Sequence, residues 1–122
     1  MKYFTLDLDG EEINFRLTSS DSVELEKKTG VKLLDYIQDY SITTIVTLLK
    51  YMRKSSIPNF SEKDAYSLFD KLVDNDYALE DIVTKIIMET CVVSGFLKRS
   101  DLEEILEKRE DKKRKLQATL EA

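Results

Sequence analysis

A chain of 122 residues, 42% of them hydrophobic, is long enough for one domain with a modest core, and its net charge of −5 excludes a broad nucleic-acid-binding face. The absence of histidine removes the commonest general base and the commonest transition-metal ligand together, and the single cysteine, Cys91, excludes an internal disulfide. With no signal peptide at the start and no apolar run near the length of a membrane span, the expectation is a soluble cytoplasmic protein.

Residues 2–8 and 11–17 alternate apolar and polar with period two, and Asp9-Gly10 between them suits a type I′ turn, whose central residues both need positive φ. The register pairs Leu8 with Glu11, Leu6 with Ile13, Phe4 with Phe15 and Lys2 with Leu17. One face is then apolar, with Phe4, Leu6, Leu8, Ile13, Phe15 and Leu17. The acidic run Asp7, Asp9, Glu11, Glu12 resembles a cation loop only in composition. A calcium loop needs Asp-x-Asp/Asn-x-Asp/Asn-Gly with a later glutamate on irregular backbone, whereas the flanks here read as strand. Asp7 opposite Glu12 is mildly unfavourable, so that face is expected to meet solvent or a basic group. A two-stranded ribbon is marginal alone, and both of its edges are expected to offer unpaired backbone groups. Tyr3, Thr5 and Arg16 on its polar face are the candidate self-association edge.

The remainder reads as helical. Ser20 or Asp21 is expected to cap a helix that ends at Gly30, a suitable left-handed C′ residue. Leu33, Leu34, Ile37 and Tyr40 form a short amphipathic turn or two. Ser41 caps a helix to about Lys54 with Ile42, Ile45, Val46, Leu49 and Met52 on one stripe, and Ile57-Pro58-Asn59 breaks the pattern. Ser61 and Asp64 make a capping box before the stripe Ala65, Leu68, Phe69, Leu72 and Val73, which Asp74-Asn75-Asp76 ends. A longer helix is expected over Ala78–Leu97, apolar nearly all round near Ile86 and Cys91 and so central to a bundle; Gly95 is a C-cap or a close-packing position. Ser100 and Glu103 form a capping box for a last helix from Asp101. The fold class is α+β, mostly helical: an N-terminal two-stranded hairpin packed on a bundle of about five helices. Residues 1–99 form the domain (hairpin 2–17, helices 20–98), and residues 100–122 form a charged helix or tail.

Chemistry-bearing groups find structural explanations. Cys91 lies in a buried stripe with no base beside it, the acidic residues Asp70, Asp74, Asp76, Glu80 and Asp81 suit helix capping, and Gly10, Gly30 and Gly95 are too scattered for a phosphate loop. Tyr36, Tyr40, Tyr51, Tyr66 and Tyr77 lie at stripe edges, as core margins or interface residues. No catalytic, metal or cofactor-binding residue is expected, and no cofactor. The last helix offers no apolar residue between Leu106 and Leu116, which predicts a frayed end or a tail docked elsewhere. Residues 107–122 hold six Lys/Arg against four Asp/Glu, net +2, leaving −7 for residues 1–106. Leu102, Ile105, Leu106, Leu116 and Leu120 are the candidate partner-binding residues.

Taken together, the hairpin, "VELEKKTGVKLLDYI" at 23–37, "SITTIVTLLKYMRK" at 41–54, "FSEKDAYSLFDKLVDN" at 60–75 and "YALEDIVTKIIMETCVVSGFL" at 77–97 resemble the tail assembly chaperones of long-tailed bacteriophages and prophages of Gram-positive hosts. The resemblance spans about residues 3–98, and Asp76 stands where a glycine is expected before the tyrosine. It implies a non-enzymatic protein of the bacterial host cytoplasm, absent from the virion. Such a protein binds the tape measure protein, helps bring tail tube protein to it, and associates with itself. It also implies a longer frameshifted product. The rival expectation is a small phage or host adaptor or inhibitor that occludes one target one-to-one.

Overall fold

The computed structural model describes residues 2–121. Strands β1 (Phe4–Leu8) and β2 (Glu11–Phe15) form an antiparallel hairpin in the expected register, from Phe4–Phe15 to Leu8–Glu11. The turn is built as its residues require, with Asp9 at φ 54° and Gly10 at φ 80°. The Asp7–Glu12 opposition is eased because the Asp7 carboxylate turns to the Gly10 amide, 3.1 Å away. Leu8, Ile13, Phe15 and Leu17 are buried against the helices, whereas Phe4 and Leu6 are half-buried.

Helix α1 (Ser19–Thr29) starts slightly earlier than the sequence suggests. Thr18, not Ser20 or Asp21, is the N-cap, its hydroxyl accepting from the Asp21 amide at 3.1 Å. The helix ends as expected at Gly30, φ 72°. The single turn α2 (Leu33–Tyr36) has no side-chain cap of its own; the Glu26 carboxylate of α1 accepts from the Leu33 amide at 2.9 Å and ties the two together. Helix α3 (Ile42–Lys54) is capped by Ser41 as expected. Its buried stripe also takes in Leu48 and Tyr51, while Ile42 in its first turn is exposed. Helix α4 (Glu62–Asp74) begins with the Ser61–Asp64 capping box. Val73 falls outside its stripe because eight residues carry it about 80° round the helix from Ala65.

At the end of α4 the Asp76 amide reaches the Val73 carbonyl (3.1 Å) and the Tyr77 amide reaches the Leu72 carbonyl (3.1 Å), a Schellman motif. Asp76 is its C′ residue at φ 68°, so an aspartate occupies a left-handed position that glycine fills without a Cβ penalty.

The long helix differs from expectation. It runs as α5 (Leu79–Ile82), a π-helical segment (Val83–Ile87) and α6 (Met88–Val93), and stops four residues short of Leu97. A second Schellman motif ends it, with Gly95 at φ 91° as C′, the Gly95 amide on Val92 and the Phe96 amide on Cys91. The π segment follows from the apolar pattern. Buried pairs Ile82-Val83, Ile86-Ile87 and Thr90-Cys91 recur every four residues, and an ideal α-helix would rotate such a repeat by about 40° each time. The wider π turn removes part of that drift and keeps the stripe on the core.

Helix α7 (Arg99–Glu121) starts at Arg99, ahead of the expected Ser100–Glu103 box, with the Leu102 amide bonded to the Lys98 carbonyl. Counting α5, the π segment and α6 as one, the described residues form a hairpin and six helices, so the fold is α+β and mostly helical. α3 and α4 pack side by side, and the π segment and β2 pack against α3. The Leu17 amide donates to Ser94 Oγ at 3.0 Å, joining the hairpin exit to the end of α6.

Candidate interaction surfaces

The reactive side chains are committed to structure. Cys91 is fully buried, and burial alone pushes its thiol up to about 12, far from a thiolate at neutral pH. Asp81 caps α5 by accepting from the Ala78 amide at 2.9 Å and pairs with Lys85 at 3.3 Å; the backbone bond first, then Lys85, holds its carboxyl below the usual range. Among the described residues no three His, Cys, Asp or Glu side chains converge on a common point. The surface carries, among other features, two grooves, a projecting helix and a sheet edge.

The first groove, about 640 Å³, lies between α1 and α2 and is floored by Val23, Leu33, Leu34 and Phe96 with Glu26 on its rim. Val23 and Leu34 are exposed there, an apolar strip between two short elements. The second, about 740 Å³, lies between Tyr40 and the α7 face carrying Ile105, Arg109 and Lys112, and is lined by more cations than apolar groups.

Helix α7 separates the candidate partner-binding residues into three kinds. Leu102 is 1% exposed and belongs to the chain's own core, so it is not available to a partner. Ile105 and Leu106 are half-buried against the same core. Leu116 and Leu120 are 63% and 74% exposed, one helical turn apart. The polar span between Leu106 and Leu116 is helical and exposed apart from the half-buried Arg109, which with Lys113 ties it to Glu80. Arg109 stacks on Tyr40 with its guanidinium 3.7 Å from the ring centroid and bonds Glu80 at 3.2 Å; Lys113 reaches the other Glu80 oxygen at 2.6 Å. Lys113 foremost, helped by Arg109, lowers the Glu80 carboxyl below its usual value. Residues 114–121 continue past this clamp as exposed helix.

The candidate edge residues also divide. Arg16 is held within the chain: its amide donates to the Met52 carbonyl at 3.0 Å and its guanidinium to the Lys2 carbonyl at 2.8 Å, so it does not serve an open edge. Arg53 of α3 donates to the Asn14 carbonyl at 2.6 Å and lies near the rings of Phe15 and Phe60, 5.9 and 5.6 Å from their centroids. α3 thereby meets the outer edge of β2 at the Asn14 carbonyl and the Arg16 amide, while the outward amide and carbonyl of Glu12 have no hydrogen-bond partner among the described residues. Thr5 is exposed on β1, its hydroxyl bonded to Asn14 Oδ1 at 2.8 Å, and Tyr3 is half-buried.

Of the five tyrosines placed at stripe edges, Tyr51 is buried, with its hydroxyl donating to Glu24 at 3.0 Å, and Tyr66 is exposed; Tyr36, Tyr40 and Tyr77 are half-buried. The roles of Glu80 and Arg53 are not apparent from sequence. Arg109 and Lys113, one turn apart on the stripe that runs from Leu102 and Ile105 to Leu116, are the available signal for a carboxylate clamp.

These features define a class: a small α+β helical domain whose surface offers grooves and a projecting amphipathic end. Compared with protein-family models, curated proteins and solved structures, the chain matches none. Among the described residues no helix is long and apolar enough to cross a membrane.

Proposed function

We propose that the chain is a tail assembly chaperone of a long-tailed bacteriophage or prophage, which binds the tape measure protein and assists recruitment of tail tube subunits in the host cytoplasm. The sequence segments from the hairpin to Ser94-Gly95-Phe96 support this reading by their order and their turns. The Asp76 position, where a glycine is expected, adds to that support: it adopts the left-handed conformation that glycine favours.

The observation that carries the reading is the far end of α7. It presents Leu116 and Leu120 on one turn, flanked by Lys112, Arg114 and Lys115, beyond the clamp at Glu80. A long helical partner with apolar stripes would aggregate if bare, and an amphipathic helix end together with an apolar groove such as that of Val23, Leu33 and Leu34 suits helix-on-helix coverage. Several copies along one partner follow from the partner's length.

The test is co-expression with a tape measure protein fragment, taken from the long reading frame expected next to this one, followed by affinity capture. The wild-type chain holds the fragment in solution. Leu116→Glu with Leu120→Glu lowers its recovery at least tenfold while the far-ultraviolet spectrum is unchanged. Equal recovery with the double variant, or an insoluble fragment with the wild type, overturns the reading.

A further inference from the structure

The second groove is strongly cationic on a chain whose net charge is −5. Its α7 wall carries Lys108, Lys112 and Lys115 at i, i+4 and i+7, a spacing that sets them in one row along the helix over about 10 Å. Arg109 does not join them, because its guanidinium is committed to Glu80 and to the Tyr40 ring across the groove. Lys112 and Lys115 are exposed, and their side chains form no ion pair or hydrogen bond among the described residues. Lys108 pairs with Glu104 at 3.2 Å, an exposed i, i+4 contact of the weak class that a better placed carboxylate displaces. Asp111, the carboxylate in the groove lining, leans to Arg114 at 3.7 Å. Like charges three and four residues apart are mildly destabilising in a helix, so this row is not explained by the stability of α7 itself.

We propose that this groove receives a short acidic helical segment of a partner protein, whose carboxylates at i, i+4 and i+7 meet Lys108, Lys112 and Lys115. The extent of the row selects that occupant. A single phosphate or carboxylate is too small to reach all three lysines across about 10 Å. A nucleic acid is disfavoured by what lies beyond the row. Toward the start of α7 the same ridge continues with Glu104 and Asp101, and residues 1–106 as a whole are net negative. A uniform polyanion, with one charge per about 1.7 Å of duplex axis, would run off the lysines onto that acidic surface. A short protein segment ends where the row ends. At the other end Leu116 stands one turn beyond Lys112 and is 63% exposed, so an apolar residue one turn from the acidic row of the segment gains contact there. The inference stands on the charge of this groove and does not rest on the tape measure reading.

The experiment titrates the full chain into a fluorescein-labelled, alanine-based helical peptide that carries glutamate at i, i+4 and i+7, read by anisotropy at low salt. The chain is expected to bind this peptide, and to bind its glutamine counterpart and an oligothymidylate of equal length about tenfold more weakly or less. Lys112→Glu with Lys115→Glu, folded by circular dichroism, lowers the affinity for the glutamate peptide about tenfold, whereas Lys112→Arg with Lys115→Arg keeps it within about twofold. Molar salt abolishes binding by the wild type, an arm that needs no variant to fold. No binding of the glutamate peptide, equal binding of the oligothymidylate, a charge-reversed variant that binds as tightly as the wild type, or binding that survives molar salt overturns the proposal. Light scattering of the chain alone tests the remaining occupant. A mass above the 14.2 kDa of one chain that falls to it in the charge-reversed variant would put a second copy in the groove and overturn the proposal as well.

Discussion

Replacing Glu80 by glutamine should free the distal half of α7 while leaving the core intact. Glu80 is the one carboxylate that holds both Arg109 (3.2 Å) and Lys113 (2.6 Å), and its side chain is 35% exposed, so each ion pair belongs to the weak, solvent-screened class worth about 0.2–1 kcal/mol. The Arg109–Tyr40 stack at 3.7 Å persists in the variant and contributes about 0.5–1 kcal/mol of its own. Glutamine keeps a hydrogen-bonding oxygen but loses the charge, so the docking of residues 106–115 weakens by about 1 kcal/mol, roughly a fivefold rise in local opening. Hydrogen exchange resolved by residue is the assay. Amides of 106–115 in the variant should exchange about fivefold faster, and those of Leu49, Leu72 and Ile87 at the wild-type rate. Molar salt should reproduce much of the effect in the wild type. The pH dependence has a definite sign. The Glu80 pKa is lowered in the folded chain, so its contribution is present above the ordinary glutamate value of 4.5 and is lost as pH falls below it. Unchanged exchange in α7, or acceleration spread evenly through the core, would refute this account of how the helix is held.

Three further outcomes follow from local geometry. Asp76→Gly should raise stability to urea by up to about 1 kcal/mol, the left-handed penalty relieved at φ 68° less the entropy of an added glycine. Tyr51→Phe should cost about 1 kcal/mol by removing the hydrogen bond to Glu24. Burial first, then Glu24, raises the Tyr51 hydroxyl from the ordinary value of 10.0 to about 12. The unfolded chain therefore releases this proton before the folded one does, and the wild type should lose stability as pH climbs between those values, a slope reduced in the variant. Arg53→Met should cost about 2 kcal/mol by leaving the Asn14 carbonyl without its guanidinium donor, read as a lower midpoint of urea unfolding.

Much of the fold is legible in the residues because its local signals agree with one another. The hairpin register follows from a two-residue turn and unbroken alternation, and the caps at Ser41, Ser61, Gly30 and Gly95 are built from residues whose side chains or backbone freedom suit those positions. The long helix departs from its sequence pattern in two ways. A four-residue apolar repeat looks like a plain helical stripe, so the π segment that accommodates it is invisible to a count of apolar positions, and Phe96 and Leu97 continue the apolar run after the Gly95 cap has ended the helix. The interaction surfaces are less legible still, since burial depends on tertiary neighbours. Leu102 and Leu120 look alike in a helical projection, yet one lies in the core and the other in solvent. Nothing local to β2 announces that a guanidinium thirty-nine residues away will bond the Asn14 carbonyl on its edge.

The central claim is that this chain acts by covering another protein's helices with contact surface. Its most direct test is native mass spectrometry of the chain co-purified with tape measure fragments of increasing length. The account predicts that the number of bound copies rises in proportion to fragment length. A single copy at every length, or no complex at all, would contradict it.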